Sequence, residues 1–265
     1  MLSEHEILAF NKVKGVFEPR RDVVAVEEEV KLYINGNIYA TLRYLPLQVR
    51  ELVTGYLLTE GIINDVKDLL EINFSKNDIH VKLCIEDISD RLQRIRSIVT
   101  NGNIKISQQM LKVAQKLRSN PVKFSVESVF KAIEILNSRA STFRSSGGTH
   151  AAALVNEDNE VVAFSEDVGR HNAIDKVIGE AVIKGFDLSK LLLALTGRLS
   201  SEVVIKAARV GIPVVASISA PTSLGIRIAE ELGLTLIGFV RGDRFNIYTY
   251  PGRIREWAEG LMRKT

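Results

Sequence analysis

Four short stretches of this sequence place arginine, histidine or hydroxyl side chains just past an apolar run: Gly169-Arg170-His171-Asn172, Gly197-Arg198-Leu199-Ser200, Ala220-Pro221-Thr222-Ser223 and Arg241-Gly242-Asp243-Arg244. Arginine forks suit bidentate contacts with phosphate or carboxylate. Serine and threonine at a helix start cap it or pass their hydrogen bond to a ligand, and unpaired N–H groups there favour anions. Gly147-Gly148 precedes another apolar run that begins at His150, and glycines there let backbone approach a ligand closely. The chemistry these residues share is the binding of a large anion such as a nucleotide diphosphate.

Two of these side chains invite a second reading. A lone histidine such as His150 is more often a structural residue than a catalyst. His171 stands on the first turn of a helix, with Asp175 at i,i+4 spacing to orient its imidazole. That pair could serve as the general base of a nucleotide hydrolase. A scaffold that binds proteins and has no ligand is a third possibility.

The elements that must position these residues follow from periodicity. Residues from Thr149 onward alternate strand and helix: THAAALVN, EVVAF, then helix HNAIDKVIGEAVIKG, strand LLLALT, helix SSEVVIKAARVG, strand PVVASIS, helix TSLGIRIAEELG, strands LTLIGFV and FNIYTY, and a closing helix around Trp257. Such alternation predicts an α/β fold, a largely parallel or mixed sheet with helices on both faces. Ligands of open α/β sheets bind at the carboxyl ends of the strands, where the four polar loops fall. Upstream, SQQMLKVAQKL and SVESVFKAIEILNSRAS carry helical stripes. Asn35-Gly36 joins two alternating strands in a hairpin, Pro46 to Gly61 spans a helix, and LLEINFS pairs with IHVKLCIED. A smaller, β-rich α+β N-terminal domain over residues 1–106 and an α/β domain over 107–265 follow.

Composition removes several function classes. The 265 residues carry 35 basic and 32 acidic side chains, a net charge of +3, which leaves no nucleic-acid footprint. No apolar run approaches the ~20 residues of a membrane span, and MLSEHEILAFNKVKG does not read as a signal peptide, so a cytoplasmic protein is expected. A single cysteine, Cys84, rules out an internal disulfide or a cysteine-cluster metal site. Its place on a strand, opposite the Ile79, Val81, Leu83 and Ile85 face, predicts a buried or half-buried, inert thiol. Zinc deaminase chemistry needs H-x-E and P-C-x-x-C, whereas this chain has THAAA and APTSLG, so no zinc is expected.

The segments SSGGTHAAAL, EDVGRHNAIDKVIG and LTGRLSSEVVIKAARVGIPVVASISAPTSLGIRIAEELGLTLIGFVRGDRFNIYT, with NGNIYATLRYLP and TGYLLTEGII upstream, resemble the FdhD family of formate dehydrogenase accessory proteins over about Glu27 to Tyr250. The resemblance implies a cytidine-deaminase-like α/β domain without zinc. It also implies binding of the molybdenum bis(molybdopterin guanine dinucleotide) cofactor, or its tungsten analogue, and delivery of sulfur to it. The implied partners are a formate dehydrogenase catalytic subunit and a cysteine desulfurase, with the protein itself a homodimer. The family's cofactor segment falls on Phe239, Val240, Arg241, Gly242, Asp243 and Arg244. Arg198, Ser200, Ser219, Thr222, Gly148, His150, Arg170, His171 and Asn172 are expected to complete the pocket. One departure stands out. The paired loop cysteines that carry the family's persulfide would fall in RSIVTNGNIKIS, which contains no cysteine. Cofactor binding therefore follows from the resemblance more directly than sulfur transfer does.

Overall fold

The computed structural model describes residues 1–85, 99–100, 103–104 and 107–260. Strands β1 (Leu2–Asn11) and β2 (Val16–Ala25) form a two-stranded ribbon that the sequence reading did not anticipate. Its side chains are exposed on both faces, Phe10 and Phe17 at the tip included, so it lacks the one-sided apolar alternation that marks a packed strand.

Strands β3 (Glu28–Ile34) and β4 (Asn37–Tyr44) turn at Asn35 and Gly36, both with positive φ as a tight hairpin requires. Helix α1 (Val49–Thr59) follows, then β5 (Leu69–Phe74) and β6 (Asp78–Leu83), giving a four-stranded sheet ordered β4-β3-β6-β5. Ile79, Val81 and Leu83 point into the core. Cys84, just beyond β6, is exposed, which corrects the expectation of a buried or half-buried thiol. It lies past the end of the β6 ladder, which stops at Leu83.

Of the cysteine-free segment 96–107, a short antiparallel pairing of β7 (Val99–Thr100) with β8 (Asn103–Ile104) and the helix-capping Ser107 are described, and Asn101 and Gly102 lie outside the described residues.

Helices α2 (Gln108–Arg118), α3 (Val126–Arg139) and the short α4 (Ser141–Ser146) lead into the larger sheet. That sheet has six strands: β9 (His150–Val155), β10 (Val161–Asp167), β11 (Leu192–Leu195), β12 (Val214–Ser217), β13 (Thr235–Arg241) and β14 (Arg244–Thr249), in the order β10-β9-β11-β12-β13-β14. Only β11, β12 and β13 pair in parallel. The sheet is mixed because β9 runs against both its neighbours and β14 runs against β13. Helix α3 covers one face, and α5 (Arg170–Ile183), α6 (Ser201–Arg209) and α7 (Ser223–Leu232) cover the other. β11 and β12 are buried throughout, as strands sandwiched between two helical layers must be.

One apolar cluster runs from Leu32 and Val81 of the smaller sheet through Leu52 and Leu57 of α1 to Ile174 and Ile178 of α5 and Leu193 of β11. Helix α1 thus packs on the large sheet's helices although it is contributed by the first 60 residues. The chain closes with α8 (Arg255–Ala258), which carries Trp257. A parallel bridge between Phe124 and Ile254 clasps this end to the connector before α3.

Candidate functional site

Strand direction decides which loops meet. β10 is antiparallel to β9, and β9 to β11, so β10 points the same way as β11, β12 and β13. The carboxyl ends of these four strands therefore share one edge, and the starts of the two reversed strands, β9 and β14, open onto it. Register fixes the correspondence: Asp167 lies opposite His150, Leu195 opposite both Ala152 and Ser217, and Arg241 opposite Arg244. Gly148, His150, Arg170, His171, Asn172, Arg198, Ser200, Ser219, Thr222 and the Phe239–Arg244 turn are all brought to this edge.

The β13–β14 turn is held open in an uncommon shape. Phe239 adopts φ 55° and Gly242 φ 57°, and a bulge interrupts the ladder between Gly238 and Arg241. A positive φ at phenylalanine is costly and persists only where its surroundings impose it. The Phe239 N–H donates to the Ser219 carbonyl at 3.1 Å. Gly238 is tightly packed, since a Cβ there would lie 3.1 Å from Pro221 and 3.2 Å from the Ser219 carbonyl. Arg241 lays its guanidinium 5.5 Å from the Phe239 ring centroid and anchors Nε on the Ile218 carbonyl at 2.8 Å, which leaves its terminal nitrogens to reach outward. Arg198, Arg241, Gly242, Asp243 and Arg244 are exposed, while Val240 is buried and Phe239 half-buried.

The β11 and β12 loops are bolted together. Leu199 donates to the Ala220 carbonyl and accepts from the Thr222 N–H. Ser219 Oγ donates to the Thr196 carbonyl, and Ser217 Oγ to the Gly197 carbonyl. Thr222 caps α7 by accepting from Gly225 N. Ser200 opens α6 without capping it: among the described residues its buried Oγ has no hydrogen-bond partner, and neither does the buried Nε of Arg170. Unpaired buried polar atoms are rare and costly, and a ligand is one way of satisfying them. Arg170 rests its stem against Gly197, where a Cβ would come within 3.0 Å of it. This close approach joins the GRHN and TGRLS loops.

The two histidines differ. His150 Nδ1 lies 3.3 Å from Thr196 Oγ1, and burial followed by the Arg170 charge lowers its pKa. His171 Nε2 lies 3.2 Å from Glu202 Oε2. Burial first, then the charges of Arg170 and Lys206, pull its pKa down to about 4, so it is neutral at pH 7.

The expected orientation of His171 by Asp175 is not what the structure shows. Asp175 is fully buried and accepts from Thr59 Oγ1 at 2.6 Å and from Lys206 Nζ at 2.9 Å. Lys206 also meets Glu60 at 2.9 Å. Burial pulls the Lys206 ammonium down, but Asp175 and Glu60 outweigh it and hold its pKa above the ordinary value. Asp175, one turn deeper in α5, spends its carboxylate on Thr59 and Lys206 at the α1–α6 seam, while His171 at the start of the helix meets Glu202.

Asn172 spends both amide hydrogens on structure, bonding the Arg43 carbonyl at 2.7 Å and Asp167 Oδ1 at 3.0 Å. Asp167 was not singled out by sequence, yet it organises this corner. It accepts from Leu45 N, Gly169 N and the buried Lys176 Nζ, the last at 2.7 Å. Burial lowers the Lys176 pKa against the pull of Asp167. Thr196 and Lys206 also went unpredicted, since nothing in their local spacing reveals contacts made through the fold.

The FdhD/NarQ family profile matches residues 25–255. The chain belongs to the FdhD/NarQ family. Its relatives include the sulfur carrier protein FdhD of Sulfolobus acidocaldarius, 40% identical over 92% of this chain and 96% of that one. The protein of the same name from Bacillus subtilis is 35% identical over 92% and 94%. A formate dehydrogenase accessory protein structure from Desulfotalea psychrophila superposes with a TM-score of 0.76 over 96% of this chain and 99% of that one, at 24% identity, a likeness of fold. Among the described residues of this FdhD/NarQ chain no cluster of His, Cys, Asp and Glu could hold a metal ion, and no helix is long and apolar enough to cross a membrane.

Proposed function

We propose that this chain is an accessory protein of formate dehydrogenase maturation, in the cytoplasm, that binds a molybdenum or tungsten bis-pterin guanine dinucleotide as cargo at the strand-end edge. The observation that carries the reading is the convergence there of Arg198, Arg241 and Arg244 with two unpartnered buried polar atoms, Ser200 Oγ and Arg170 Nε. Those donors suit the diphosphates of such a ligand, and the hydroxyls and helix N–H groups suit the remaining phosphate oxygens and guanine edges. The bound group would bring the metal and pterin chemistry of the client enzyme. This chain's residues bind and orient it.

The relatives named as sulfur carriers support a place in the same maturation step; the proposal adds the formate dehydrogenase catalytic subunit and a cysteine desulfurase as partners and a homodimer as the working form. The sulfur-carrying role itself lacks its thiol pair in this chain. A cytidine-deaminase-like layering of the large sheet, divided from the smaller domain near residue 106, completes the reading.

Calorimetry with GDP, as a fragment of the ligand, tests it. Wild type should bind, and Arg241→Ala should lose about 1.5–3 kcal/mol, the value of a charge-assisted hydrogen bond. Equal affinity of the two proteins, or no binding by either, overturns the proposal. A nucleotide hydrolase is the second reading, and the placement of His171 at the same edge, its Nε2 3.2 Å from Glu202 Oε2, is the observation that favours it.

A further inference from the structure

At the opposite edge of the large sheet lies a cavity of about 620 Å³ that the strand-end site does not use. Four segments meet around it: the end of α2 with the turn after it, the loop after β9, the residues leading into β11, and the first residue of α8. Lys116, Lys123, Lys190 and Arg255 line it, against one carboxylate, Glu157. The whole chain carries an excess of only three positive charges, so this one cavity holds a local excess as large as that of the entire molecule.

The cations are not committed elsewhere. Arg255 touches Glu157 at 4.0 Å, and Lys116, Lys123 and Lys190 form no ion pair among the described residues. The final carbonyls of α2, which would otherwise attract lysines, are already satisfied. Gln115 and Lys116 accept from Ser119, and Leu117 accepts from Asn120 N and Arg253.

The walls are built rather than accidental. Asn120 donates to the Ser189 carbonyl at 2.8 Å and accepts from Val122 N at 2.9 Å, which locks the α2–α3 connector to the entrance of β11. Phe124 exchanges backbone bonds with Arg253 and Arg255, and Glu256 accepts from Val126 N, which locks the C-terminal segment to the same connector. Apolar Pro121 and Val122 give the cavity a dry wall beside the charges.

We propose that this cavity is a second anion site, one that takes a small oligophosphate: a chain of two or more phosphates, free or carried by a nucleotide. Lysine ammoniums act as mobile point charges that follow successive phosphates, and Arg255 offers a fork for one of them. The cavity volume falls within the range of small-molecule sites. Its position across the sheet makes it independent of the strand-end site.

Binding of inorganic tripolyphosphate and of ATP to the full-length protein, measured by calorimetry at low salt, tests this. Wild type should bind tripolyphosphate, and the double variant Lys116→Ala/Lys190→Ala should bind it about tenfold or more weakly at this site. Both lysines are exposed, so the fold should stand, and Lys116→Arg/Lys190→Arg should restore affinity. The variant Arg241→Ala/Arg244→Ala should leave this binding event in place. Tighter binding of ATP than of tripolyphosphate assigns the source to a nucleotide, and equal binding assigns it to free oligophosphate. The proposal is overturned by absence of tripolyphosphate binding, by binding that the lysine pair does not affect, or by binding lost only in the Arg241/Arg244 variant. A poly-glutamate peptide that binds where tripolyphosphate does not also overturns it.

Discussion

Gly55 of α1 and Gly179 of α5 sit face to face at the crossing of the two helices. A Cβ built on Gly55 would overlap the carbonyl oxygen of Asp175, and one built on Gly179 would overlap the carbonyl oxygen of Glu51. Backbone meets backbone here, with no side chain between. The contact places Thr59, the last residue of α1, and Glu60 just after it within reach of Lys206, so the buried ion cluster depends on it.

Gly55→Ala and Gly179→Ala should each destabilise the protein. Alanine gains up to about 1 kcal/mol in helix propensity, but here the helices must separate. Overpacking of that kind costs about 1–3 kcal/mol or more, and backbone atoms cannot step aside. Denaturant midpoints of the two variants should fall below wild type. An unchanged or raised midpoint would show that the helices do not approach this closely.

Breaking the Lys206–Asp175 pair from one side should cost still more. Lys206→Met leaves a buried carboxylate with Thr59 as its remaining donor, and losing one partner of a buried pair typically costs about 3–5 kcal/mol. Chemical denaturation checks the magnitude. A loss below 1 kcal/mol would mean that water already reaches the pair.

His171 predicts a pH dependence. Its folded pKa of about 4 lies below the ordinary 6.5, so the unfolded chain takes up a proton before the folded one does as pH falls. Stability from this group is present above pH 6.5, declines between 6.5 and about 4, and is level below that. His171→Asn should flatten the stability profile over that window relative to wild type. The same variant separates the functional readings: in a binding protein neither form releases GMP or phosphate from GDP, whereas steady release by wild type alone would establish the hydrolase.

Cys84 provides the fourth prediction. It is exposed and is the only cysteine in the chain, so native protein should take up one equivalent of a maleimide. Cys84→Ser should support formate dehydrogenase maturation as well as wild type does. Failure of that variant to mature the enzyme, while it folds and binds GDP, would make Cys84 the sulfur carrier.

The Asn35-Gly36 hairpin was legible in sequence because few residues other than these tolerate the positive φ angles measured there. The edge shared by Arg170, Ser200, Thr222 and Arg241 was legible because each polar residue follows an apolar strand. The reversal of β9 was not, since HAAALV is equally apolar whichever way it runs. The partner of Asp175 was hidden for a different reason. Local spacing proposes His171, but tertiary packing brings in Lys206 from 31 residues away. Gly55 and Gly179 look neutral inside helical patterns, because a close crossing leaves no mark on either helix alone.

Trp257 is the sole tryptophan, and it rides on α8, held by the clasp between Phe124 and Ile254 at the edge of the sheet away from Arg241. The protein's intrinsic fluorescence therefore watches the clasp and is blind to the far edge. If a guanine nucleotide binds at the strand-end edge as proposed, tryptophan emission should neither dim nor shift, and a flat optical titration would not count against binding. An early change in emission on warming would instead report the C-terminus letting go while the sheet is still intact.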